Sequence, residues 1–235
     1  LDFVVPNVYE DRQIDSDFPF EWLLKLSQSN RCEVYPALQC RVESHKEQPA
    51  TAAHFCAGAA AYWSKGADAL YLPWPIETDQ RHLLSIIGDP ELLEELPKHY
   101  VVRRKSEVAE RHMYDSPLPL TLTTGLDSPG QIVPLYLADA SDVARVTLRL
   151  QLSETTTHDA MTVSLNGQAL AADTCWRTTI GFAKAWLDFP LPRGAIRRGQ
   201  NEVGVAVHRR PENLDAQVVL ESVELKVEYP QHEAS

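Results

Sequence analysis

The chain has 235 residues, 44% of them hydrophobic and 23% charged, the composition of one or two globular domains and not of a disordered segment. Lys and Arg number 22 against 33 Asp and Glu, a net charge of -11, which argues against a nucleic-acid partner because phosphate neutralisation needs a basic face. No apolar run of about 18 residues occurs, so no spanning helix and no membrane partner are expected.

In chain order, Asp2 to Tyr9 reads as a strand. A helix follows, with Asp17 as N-cap, Pro19 in its first turn and Phe20, Leu23, Leu24 and Leu26 on its apolar face. Glu33 to Cys40 is the second strand. Thr51 caps a second helix, with Phe55, Ala59, Tyr62 and Trp63 at helical spacing and Gly66 as its stop. Ala67 to Trp74 is the third strand. Thr78 starts a third helix ended by Gly88, and Asp89-Pro90 opens a short one through Leu96. Strands that are apolar on both faces and separated by amphipathic helices predict a parallel sheet covered by helices. No Gly-rich loop follows any of these strands, so a phosphate cradle is absent from the sequence and a (β/α)8 barrel is favoured over a nucleotide-binding fold.

After about residue 112 the grammar changes. Val146, Leu148, Leu150 and Leu152 alternate with polar residues, and Met161 to Leu165 runs into Asn166-Gly167, a strong hairpin signal. Trp186 to Leu191, the run from Gly199 to Val207, and Val219 to Tyr229 are further strands. Short strands at turn spacing predict an antiparallel β-sandwich of jelly-roll type. The expected fold class is therefore α/β plus all-β: a partial (β/α)8 TIM barrel in residues 1–112, then a β-sandwich in 113–235. A chain opening Leu1-Asp2-Phe3, with no Met and only three such units, is expected to be a piece of a longer protein that carries the rest of the barrel.

Leu165-Asn166-Gly167, Phe189-Pro190-Leu191 and Gly199-Gln200-Asn201-Glu202-Val203 resemble the galactose-binding-like accessory sandwiches of glycoside hydrolases. The first half resembles the C-terminal end of glycoside-hydrolase-like TIM barrels of uncharacterised bacterial proteins. The residues carrying that likeness are Asp2 to Asp11, Val34 to Gln39 and Tyr62 to Leu72, and the stretch from Ile87 to Leu92 through Lys98-His99-Tyr100 fits the same layout. The resemblance makes these the sixth, seventh and eighth barrel strands and implies action on a carbohydrate, without naming the sugar.

Barrel sites lie in the loops after the strands' C-terminal ends. That rule selects Asn7, Tyr9, Glu10 and Asp11 after the first strand, Gln39 and Arg41 after the second, and Trp74 with Glu77 after the third. Glycoside hydrolysis needs two carboxylates flanking the bond, one to protonate the leaving oxygen and one to attack or to activate water. Glu10 is the expected catalytic acid or base, with a solvated loop acid or a helix-cap partner as the other reading. Tyr9 either orients Glu10 or covers the barrel top. Asn7, Asp11, Gln39 and Arg41 are expected to contact substrate. Trp74, between Pro73 and Pro75, is either a stacking platform for a sugar or ordinary packing at the mouth. The second strand ends Gln39-Cys40-Arg41, with no carboxylate where barrel glycosidases carry a Glu, so a non-catalytic carbohydrate-binding or scaffold protein with a degenerate barrel is the alternative. The four cysteines form no CxxC and are expected as buried free thiols. The eight histidines show no metal-ligand spacing, and neither a metal nor a cofactor is expected.

Overall fold

The computed structural model describes residues 2–7, 12–28, 31–42, 50–74, 81–104, 116–126, 130–140 and 144–230. Three extended segments open it, parallel and side by side in sequence order. β1 (Phe3–Val4) pairs with β2 (Glu33–Val34), Phe3 opposite Glu33 and Val4 opposite Val34. The ladder continues past these ends, with the Ala37 N–H donating to the Pro6 carbonyl at 2.9 Å. On the other side of the middle segment, the Asp68 N–H donates to the Val34 carbonyl and the Tyr71 N–H to that of Pro36, both at 3.1 Å. The Leu38 N–H returns a bond to the Tyr71 carbonyl at 2.9 Å. Pro6, Pro36 and Pro73 have no N–H to give, which breaks the expected long strands into short pairings.

The first helix, α1 (Glu21–Ser27), starts after Phe20 and not at Asp17. The Asp17 carboxylate is drawn elsewhere: it accepts both contacts of Gln200 Nε2, at 2.9 and 3.0 Å, and lies 3.6 Å from Lys65 Nζ. Helix α2 (Ala52–Ser64) begins where Thr51 marks it, and the Thr51 N–H donates to Nδ1 of His54 at 3.0 Å, so a histidine fills the place a Glu or Gln takes in the usual capping box. Its residues from His54 to Tyr62 are all buried, the signature of a helix with packing on every side. One side meets the parallel segments: a Cβ on Gly58 would stand 2.7 Å from Leu38 Cδ1, and Phe55 stacks on Trp74 at 4.9 Å. The other meets the sandwich, where His54 stacks on His99 at 4.2 Å. Helix α3 (His82–Ile87) accepts the Trp63 indole N–H at the Ile87 carbonyl. Helix α4 (Pro90–Leu93) is capped by Asp89, whose Oδ1 accepts the N–H groups of Glu91 and Leu92.

The remaining strands are β3 (Lys98–Val101), β4 (Leu120–Thr121), β5 (Gln131–Leu137), β6 (Arg145–Ser153), β7 (Ala160–Leu165), β8 (Gln168–Ala169), β9 (Trp176–Gly181), β10 (Lys184–Leu191), β11 (Gly199–Arg209) and β12 (Val219–Glu228). They form two antiparallel sheets, β3-β12-β6-β10-β9 with β4 also on β12, and β5-β11-β7-β8. The protein is thus a β-sandwich-rich α/β fold. In β6 the buried residues Val146, Leu148, Leu150 and Leu152 alternate with partly exposed ones, as the pattern requires of a sheet with one face on a core. Lys98–Val101, counted by composition with the first 112 residues, pair with β12 and give the larger sheet an edge strand, which α2 covers.

The sequence motifs of the sandwich hold one another. Asn166 and Gly167 adopt φ of 53° and 80°, the left-handed pair a tight hairpin needs between β7 and β8. Asn201 is fully buried, and its amide uses its whole capacity. Nδ2 donates to the carbonyls of Arg197 and Gly199, at 2.7 and 3.0 Å, and Oδ1 accepts the Arg197 N–H and Asn166 Nδ2, at 3.0 and 2.9 Å. The Asn166 Oδ1 in turn accepts the Glu202 N–H. The hairpin tip and the turn entering β11 are one hydrogen-bonded knot.

Candidate functional site

The parallel segments place their C-terminal ends together, and with them three of the residues selected from sequence. Gln39, 3% exposed, follows the second segment and donates from Nε2 to Oδ1 of Asn7, after the first, at 2.5 Å. The two amides keep unequal and complementary groups: among the described residues nothing bonds the Asn7 Nδ2 or the Gln39 Oε1. One offers donors, the other an acceptor, beside each other at the end of a rigid ladder. A hydroxyl both donates and accepts, so a vicinal diol matches this pair. Neither amide can serve as nucleophile or general acid.

Trp74 follows the third segment, and its ring is engaged: the indole N–H donates to the Leu38 carbonyl at 2.9 Å and one face stacks on Phe55. The packing reading of Trp74 accounts for these contacts, which fix the loop end against α2. Arg41 is solvent-exposed and acts through its backbone, the Arg41 N–H donating to the Arg12 carbonyl at 3.0 Å and its own carbonyl accepting the Ile14 N–H. Gln13 and Arg41 thus form a parallel bridge, which sets residues 12–14 alongside the end of the second segment. Tyr9, Glu10, Asp11 and Glu77 lie outside the described residues.

A concavity of about 440 Å³ lies where the C-terminal turn of α2 and helix α4 meet the sandwich. Its floor is a buried charge centre. Asp139 accepts Lys98 Nζ at 3.1 Å, the Tyr100 hydroxyl at 2.6 Å and the Tyr229 hydroxyl at 2.7 Å. Lys98 Nζ gives its other protons to the carbonyls of Glu94 and Leu96. Burial, reinforced by Asp139, holds the Tyr100 phenol well above its usual range. Every polar group of this centre is paired, so it works as a structural junction between helices and sheet. Its members come from β3, from the turn after β5 and from the end of β12, a grouping that no sequence spacing signals.

The cysteines are all unpaired, and burial raises the Cys56 thiol above its usual range. Among the described residues, no three His, Cys, Asp or Glu side chains gather as a metal site, and no helix is long and apolar enough to cross a membrane. No protein-family model matches the chain, and no curated protein is significantly similar to it.

Proposed function

We propose that the chain belongs to a glycoside-hydrolase-like protein acting on a carbohydrate, its parallel segments being the last three βα units of a (β/α)8 barrel whose site lies at their C-terminal ends. The observation that carries this reading is the apposition of Asn7 and Gln39, two amides that keep a donor and an acceptor unbonded among the described residues, at the ends of neighbouring parallel segments. Such ends are where barrel enzymes bind substrate. Glu10 supplies the acid or base in this proposal, and Asp11, Tyr9 and Arg41 complete the rim. The sandwich buttresses the barrel through α2.

The alternative, a carbohydrate-binding protein without hydrolysis, draws support from Gln39, an amide at the end of the middle segment where a glycosidase would present a carboxylate. One experiment separates the two. A panel of aryl glycosides and oligosaccharides is offered to the full-length protein and to its Glu10→Gln and Gln39→Ala variants, with binding and hydrolysis both followed. Hydrolysis lost with binding kept in Glu10→Gln supports the enzyme. Binding without hydrolysis in the parent protein supports the alternative. Binding that survives intact in Gln39→Ala defeats both.

A further inference from the structure

The face of the larger sheet turned away from the sandwich core carries a row of side chains that runs from buried Glu224 out to exposed Trp176. Cross-strand register sets Glu224 of β12 opposite Arg149 of β6, Arg149 opposite Asp188 of β10, and Asp188 opposite Trp176 of β9. Residues opposite one another in a sheet share a face, with Cβ atoms about 5 Å apart. The row is rigid at its inner end. Arg149 Nε donates to Asp188 Oδ1 at 2.7 Å, its Nη1 lies 3.8 Å from Glu224, and its guanidinium sits 4.5 Å above the ring of Trp186. At the outer end Trp176 is 75% exposed, on the edge strand, with Ile180 and the fully exposed Phe182 farther along the same hairpin. Arg149 Nη2 and Asp188 Oδ2 have no hydrogen bond to the described residues.

A large indole left in water on a strand, next to a fixed donor and a fixed acceptor with unused capacity, is the complement of a pyranose. The apolar C–H face of the sugar covers the ring, and the hydroxyls at its edge meet the carboxylate and guanidinium. With a net charge of -11 the protein repels polyanionic glycans, so the fitting occupant is an uncharged polysaccharide. The run of Trp176, Ile180 and Phe182 along the edge suits a chain and not a single sugar. We propose that this face of the sandwich, centred on Trp176, Asp188 and Arg149, binds a neutral polysaccharide chain, independently of the site at the ends of the parallel segments.

Native affinity electrophoresis of the 235-residue chain tests this, in gels containing hydroxyethylcellulose, xylan, galactomannan or amylopectin. At least one polymer retards the protein, and Trp176→Ala weakens that retardation about tenfold or more, the loss of a stacked ring being worth on the order of a factor of ten. Asp188→Asn weakens it less, and Trp22→Ala, which removes another exposed indole, on α1, leaves it unchanged. In the unsubstituted protein the same polymer shields Trp176 from N-bromosuccinimide, a readout that needs no variant. Retardation by none of the polymers, a Trp176→Ala protein retarded like its parent, or no shielding overturns the proposal. So does a Trp176→Ala change whose sole effect is to turn a dimer into a monomer on a sizing column, since the edge strand would then be a protein contact.

Discussion

Replacing Asn201 with Ala removes four hydrogen bonds from a fully buried side chain and leaves the Arg197 N–H, the Arg197 and Gly199 carbonyls and Asn166 Nδ2 without that partner. A buried hydrogen bond contributes roughly 1 kcal/mol net. Arg197 is exposed and Asn166 and Gly199 are half-buried, so part of the loss is recovered by water and the full penalty for orphaned groups does not apply. The expected cost is about 3 kcal/mol. With a urea slope of about 3 kcal/mol/M for a chain of this size, the unfolding midpoint of the sandwich falls by about 1 M. Circular dichroism in urea measures it. Asn201→Asp falls at least as far, because the carboxylate would face two carbonyls that need donors. A midpoint shift under about 0.3 M for Asn201→Ala would refute the reasoning, because the knot joining hairpin and turn would then contribute little.

Four further outcomes follow from the packing. Gly58→Ala puts a methyl 2.7 Å from Leu38 and 2.9 Å from Ile14, and thermal melts are expected to show a net loss of about 1 kcal/mol or more despite the better helix propensity of Ala. A sandwich fragment that begins before Lys98 melts higher than one that begins at Pro117, which lacks β3 and the Lys98–Asp139 pair. Burial holds the Tyr62 and Tyr100 phenols well above their ordinary range, whereas the unfolded chain ionises near pH 10. Their stabilising effect is therefore whole below about pH 10 and fades as pH climbs beyond it, so in an absorbance titration these two ionise together with unfolding and not with exposed tyrosines. Cys56, buried and with its thiol raised by desolvation, reacts with iodoacetamide far more slowly in the folded chain than in urea.

How much of this was legible depends on whether a residue's role is set locally. The alternation in β6, the Asn166-Gly167 turn and the limits of α2 at Thr51 and Gly66 are local chemistry, and they read correctly. β9 escaped notice because most of its residues are exposed, leaving no alternation to detect, and β3 because a fully buried four-residue strand has none either. Asp17 looked like a cap until Gln200, far along the chain, claimed its carboxylate. At the candidate site, the rule that strand ends carry function selects Asn7, Gln39 and Trp74, and the fold brings the first two into contact. The contact of Trp74 with Phe55 was not legible, because that ring arrives from a helix. The Lys98–Asp139–Tyr229 centre depends wholly on which strands become neighbours.

Hydrogen–deuterium exchange on the full-length protein, with and without the best-binding oligosaccharide from the panel, tests the proposed barrel-mouth site most directly. Slowed exchange is predicted in residues 3–7 and 37–42, at the ends of the first two parallel segments. A bound oligosaccharide that leaves both stretches exchanging as in the free protein would contradict the account.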